Sequence, residues 1–112
     1  MNERILIVAR MSPDAAEKVA ALFAASDAGE LPAALGVAHR ELFHYRDDLY
    51  FHLVEFEGPA DRAMAEARAR KDFRALCADL EPFVAPYDPA TWRSPADATA
   101  ASFYRWSRPA GS

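Results

Sequence analysis

Leu49-Tyr50-Phe51-His52-Leu53-Val54-Glu55-Phe56 is the most strand-like run in this 112-residue chain. Aromatic and β-branched side chains fill it, and such residues suit a pleated, packed surface. Upstream, Val37 to Tyr45 has the same character, with Arg46-Asp47-Asp48 between them as a tight turn. The two runs therefore predict a central antiparallel hairpin.

Outward from that hairpin, residues 4–11 are short and β-branched and read as a first strand buried on both faces. Ser12-Pro13-Asp14 supplies an N-cap, a proline at the first helical position and an acid in the first turn. The helix that follows places Ala16, Val19, Ala20 and Phe23 on one face, and Gly29 marks its end as a left-handed cap. Residues 30–36 read as a connector. Beyond the hairpin, Gly58-Pro59 opens a helix with Ala63, Met64 and Ala67 inward. A break near residues 70–72 leads to a shorter helix carrying Phe73, Leu76, Cys77 and Leu80, which Pro82 ends. Residues 86–100, around Trp92, read as an irregular connector, and residues 102–107 as a final aromatic strand.

The predicted order is β-α-β-β-α-β, an α+β, ferredoxin-like sandwich with helices on one sheet face. Nothing in one chain covers the other face, so a symmetric homodimer is expected. The length suits one domain over residues 1–112. A net charge of −4 without a basic run argues against nucleic acid or an anionic membrane as partner. One cysteine allows no internal disulfide, and the N-terminus reads as neither signal peptide nor membrane span. A cytoplasmic protein is the expectation.

His52 is the first candidate for chemistry, because an imidazole flanked by large apolar residues loses water when its strand packs. The alternative is a buried histidine satisfied by a backbone carbonyl. With a three-residue turn, Tyr45 pairs with Leu49, Leu42 with His52 and Arg40 with Val54, which places Arg40 and His52 on one face. A buried arginine cannot discharge itself and needs an anion or acceptors; a salt bridge to Glu41 or Glu55, or simple exposure, is the competing reading. Asp27, in the last helical turn, meets the negative end of the helix dipole, so a partner is expected unless it is a solvated surface acid. His39, His44 and His52 lack metal-ligand spacing, and no phosphate-binding loop or nucleotide fingerprint occurs. No cofactor is therefore expected, and catalysis would be proton transfer by side chains.

Asp27-Ala28-Gly29-Glu30-Leu31-Pro32, Gly36, Arg40-Glu41-Leu42-Phe43 and Asp48-Leu49-Tyr50-Phe51-His52-Leu53-Val54-Glu55 resemble the tetracenomycin-type aromatic polyketide cyclases. The likeness continues through Ala67-Arg68, Phe73, Val84-Ala85-Pro86-Tyr87 and Phe103-Tyr104-Arg105-Trp106, nearly the whole chain. It implies a dimeric α+β barrel acting on a poly-β-ketone or a partly cyclised intermediate, with transient contact to type II polyketide synthase components. The reaction it implies is intramolecular aldol closure, water loss and aromatisation without metal or organic cofactor.

The resemblance also implies His52, Asp27 and Arg40 as the functional groups. His52 is expected to take a methylene proton, Arg40 to hold the oxyanion, and Asp27 to orient His52 or relay the proton. Tyr50, Phe23, Phe56, Phe73 and Trp106 are the expected substrate-binding wall. Two features depart from the family pattern: Ser26 stands where members often carry a histidine, and the turn at residues 46–48 is one residue longer. The same fold also hosts cofactor-free monooxygenases, and a non-catalytic polyketide-binding subunit is the third reading.

Overall fold

Tyr50, His52, Val54 and Phe56 are buried in strict alternation with half-buried neighbours, and that alternation sets the layering of the molecule. The structure, a computed structural model, describes residues 2–91 and 95–109. Its elements are β1 (Glu3–Met11), α1 (Ala16–Asp27), α2 (Leu31–Leu35), β2 (Val37–Tyr45), β3 (Leu49–Phe56), α3 (Ala60–Ala69), α4 (Lys71–Leu80) and β4 (Val84–Pro86). The sheet order is β2-β3-β1-β4, and every adjacent pair is antiparallel. This is the ferredoxin-like α+β arrangement.

The hairpin register is Tyr45↔Leu49, Leu42↔His52 and Arg40↔Val54, so Arg40 and His52 do share a face. Ile5, Ile7 and Ala9 stand opposite Val54, His52 and Tyr50 on that same face. Two apolar clusters fill the space between this face and the helices. One joins Met11, Val19, Phe23, Tyr50 and Leu76; the other joins Val54, Phe56, Ala60 and Ala63. Leu35 packs against both. Burying a side chain such as Phe56 contributes about 1.5–3 kcal/mol. The opposite sheet face carries Leu6, Val8, Phe51 and Leu53, with Phe43 and Tyr45 exposed beside them.

Five local expectations are corrected. Strand β1 is not buried on both faces; only Ala9 and Met11 are buried, both on the helix side. On α1, Val19 and Phe23 are buried, but Ala16 and Ala20 are exposed. Ser12 makes no side-chain cap; its carbonyl accepts from Ala15 N–H at 3.0 Å in a 3-10 turn, Pro13–Ala15, that precedes α1. Gly29 is not left-handed, because α1 hands over to a second helix, α2, inside the expected connector. The left-handed residue is Gly36 at φ 70°, where α2 must turn into β2.

The fifth correction concerns the last strand. Residues 101–109 have no regular secondary structure, with Phe103, Tyr104 and Trp106 exposed. The fourth strand is Val84–Pro86, which pairs with Ala9–Met11. Farther along the same edge, Ile7 bridges Thr99, and Ala100 N–H donates to Leu6 C=O at 2.7 Å. The β1 edge is thereby taken before residues 102–107 are reached. Trp92, at the centre of the expected connector, lies outside the described residues.

Candidate active site

Arg40 projects from β2 toward the helices, where its side chain keeps only 14 % of its exposure. A guanidinium so placed requires acceptors on its nitrogens. Asp27 provides two. Nε donates to Oδ1 and Oδ2 at 3.2 and 3.1 Å, and Nη2 donates to Oδ1 at 2.9 Å. His52, on β3, supplies the third acceptor, since its Nε2 lies 3.0 Å from Arg40 Nη1. The Phe23 ring from α1 lies under the guanidinium at 5.2 Å and meets the His52 ring edge-on at 5.2 Å.

This arrangement explains Asp27 at the end of α1: the cation of Arg40 offsets the unfavourable dipole position. Asp27 contacts Arg40 rather than His52, so the structure does not place it to orient the imidazole. Neither Glu41 nor Glu55 pairs with Arg40; Glu41 lies near His39 and Glu55 near Arg4.

A cavity of about 510 Å³ opens between the two apolar clusters. Arg40, Tyr50 and His52 are polar points on a wall otherwise made largely of apolar side chains. Phe23, Phe56 and Phe73 line it as expected from the sequence, whereas Trp106 stands outside it, two-thirds exposed. Asp27 is behind Arg40 and not part of the wall. The sequence reading missed Leu35, Val37, Met64 and residues 84–86 as wall residues. Val37 was hidden because a position three before Arg40 faces the other way on a regular strand. It reaches the wall only through the irregularity between Val37 and His39, and the rest depend on how α2, α3 and β4 pack.

Burial, and secondarily the Arg40 cation, push the His52 imidazole down to about 3, so it is neutral near pH 7. Burial raises the Tyr50 phenol above its ordinary value despite the opposing cation of Arg40, so its hydroxyl keeps its proton. Burial likewise raises the Cys77 thiol at the cavity wall. Among the described residues, no three His, Cys, Asp or Glu side chains converge as metal ligands. No helix among them is long and apolar enough to cross a membrane.

The family model described as polyketide synthesis cyclase matches residues 3–107. An uncharacterised protein of Streptomyces coelicolor is 50% identical over 107 residues, covering 95% of this chain and 96% of that protein. Tetracenomycin F2 cyclase of Streptomyces glaucescens is 38% identical over 109 residues, covering 97% of this chain and 98% of its own. The solved structure of that cyclase, described as a type-II polyketide cyclase, superposes with a TM-score of 0.86. In that superposition the identity is 37%, with 96% of this chain and 99% of the other covered. The chain belongs to the polyketide synthesis cyclase family, of the tetracenomycin cyclase type.

Proposed function

We propose that this protein is an aromatic polyketide cyclase that closes a ring by intramolecular aldol condensation, followed by dehydration and aromatisation. The substrate class is a poly-β-ketone or a partly cyclised intermediate. The observation that carries this reading is Arg40, held by Asp27 and His52 at the wall of a largely apolar cavity. A flexible chain of ketones has many internal closures open to it. An apolar mould that seats one near-attack conformer can contribute roughly 7–11 kcal/mol toward a single closure.

In the aldol step a C–H bond of a methylene between two carbonyls breaks and its electron pair forms the new C–C bond. The attacked carbonyl oxygen becomes an alkoxide and is protonated. Arg40 would stabilise the charge on oxygen, as a fixed donor does in an oxyanion hole. No step calls for a metal or organic cofactor. The expected proton transfer to His52 conflicts with the hydrogen bond that its Nε2 already accepts.

The working unit in this reading is a homodimer, an α+β barrel of two sheets. Its support is the uncovered sheet face of Phe43, Tyr45, Phe51 and Leu53. Transient contact with type II synthase components and residence in the cytoplasm follow from the same reading.

The test is the rate of ring closure on the product of a minimal synthase. Arg40→Gln should lower it by about 10²–10³-fold with the fold intact by circular dichroism. A folded Arg40→Gln protein at the wild-type rate overturns the role of Arg40. A mixture of closures that the wild-type protein leaves unchanged overturns the cyclase reading itself.

A further inference from the structure

The contact between Arg40 and His52 allows one arrangement of hydrogens. A guanidinium has only donors and does not deprotonate. At 3.0 Å from Arg40 Nη1, His52 Nε2 must therefore contribute its lone pair. The hydrogen of the neutral ring then sits on Nδ1. A flipped ring would put Cε1 rather than a nitrogen against Arg40 Nη1, so the contact itself fixes the ring's orientation: Nε2 accepts from Arg40 and Nδ1 carries the hydrogen.

That second nitrogen makes no hydrogen bond to another described residue, yet no buried side-chain nitrogen or oxygen among them is left unpaired. It therefore touches open space. The open space beside His52, itself only 8% exposed, is the cavity.

We infer that His52 acts as a hydrogen-bond donor to the substrate and as the acceptor that positions Arg40, not as the base that takes the methylene proton.

The surrounding groups point the same way. Arg40 uses three of its roughly five N–H groups on Asp27 and His52, which leaves one on each terminal nitrogen. The Tyr50 hydroxyl lines the same wall and keeps its proton. Cys77 is also held in its protonated form there, and the one carboxylate on the wall, Glu81, is exposed. A proton on His52 would place a second cation against Arg40, and burial opposes it further. Apart from the exposed Glu81, the polar side chains of the wall each offer a hydrogen to the cavity.

Such a set fits two neighbouring carbonyl oxygens, and it fits them better as negative charge spreads over both. The substrate feature recognised is a 1,3-dicarbonyl unit passing to its enolate. Under the cyclase reading, on which this consequence rests, the methylene proton leaves to water. Its electron pair forms the C–C bond, and the new alkoxide is reprotonated from water, so protons balance.

Two measurements decide it. The first uses the wild-type protein labelled with ¹⁵N-histidine and no substrate, followed by NMR from pH 8 to pH 4.5. His52 should stay neutral throughout, with its hydrogen on the ring nitrogen that faces away from Arg40. Titration above pH 6, or hydrogen on the nitrogen facing Arg40, overturns the inference whether or not the protein cyclises polyketides.

The second compares closure rates of His52→Gln and His52→Leu. Glutamine can accept from Arg40 and still offer an N–H, but cannot act as a base. His52→Gln should stay within about tenfold of wild type while His52→Leu falls well below it. An equal loss of about 10²–10⁴-fold in both, with both folded, identifies a base and overturns the inference.

Discussion

His52 carries a stability consequence that is separate from catalysis. In the folded protein its pKa is lowered to about 3, whereas in the unfolded chain the ring titrates near 6.5. Below pH 6.5 the unfolded state binds a proton that the folded state refuses. Stability from this residue is thus complete above pH 6.5 and is lost as pH falls toward 3. The slope is roughly 1.4 kcal/mol per pH unit inside that window. Urea unfolding at pH 7.5 and pH 5.0 should show wild type losing about 2 kcal/mol more than His52→Gln. Equal losses would mean that the imidazole is not held neutral by the fold. The shared face of Arg40 and His52 was legible from the length of the turn at residues 46–48 alone. Their direct contact was not, since backbone register places residues to within about 7–8 Å and leaves the reach of the side chains open.

At the scale of elements, two glycines separate what local sequence signals can and cannot tell. Gly29 follows a periodic apolar helix and has every mark of a left-handed cap, yet its φ is not positive and the chain continues into α2. Gly36 holds the positive φ. A methyl group at Gly36 would meet nothing closer than 4.0 Å, so Gly36→Ala should cost only the left-handed backbone penalty, about 1–2 kcal/mol. Gly29→Ala meets Ser26 C=O at 3.4 Å with no such φ, and should change stability by less than about 0.5 kcal/mol. Thermal unfolding of the two variants checks the contrast, and equal losses would contradict it. The hairpin, β1, α1, α3 and α4 were readable because each carries a sustained apolar run or period, whereas the five residues of α2 were too few to show one. Strand β4 was not, because three residues ending in Pro86 have no period to read, while the aromatic run at 102–107 has one but no free edge beside it.

At the scale of the whole molecule, the sheet is covered by helices on one face only. The proposed pairing of two sheets predicts a particle of twice 12.4 kDa in sedimentation equilibrium. Phe43→Asp, on the uncovered face and 44% exposed, should shift that particle toward the monomer without unfolding it. A monomeric wild-type protein at micromolar concentration would contradict the pairing. The cavity itself was beyond reach of the sequence, since its wall draws on residues from α1, α2, α3, α4 and all four strands at once. Phe23, Phe56 and Phe73 were found because each sits on the inward period of its own element, and Trp106 was misplaced because the strand assumed to carry it does not form.

Cyclisation directed by this cavity is tested most directly by the products of a reconstituted minimal synthase, with and without the protein, in the absence of oxygen. The predicted result is one cyclised, dehydrated aromatic product replacing a mixture of spontaneous closures, with oxygen making no difference. An unchanged mixture, or a new product that forms only when oxygen is admitted, would contradict it.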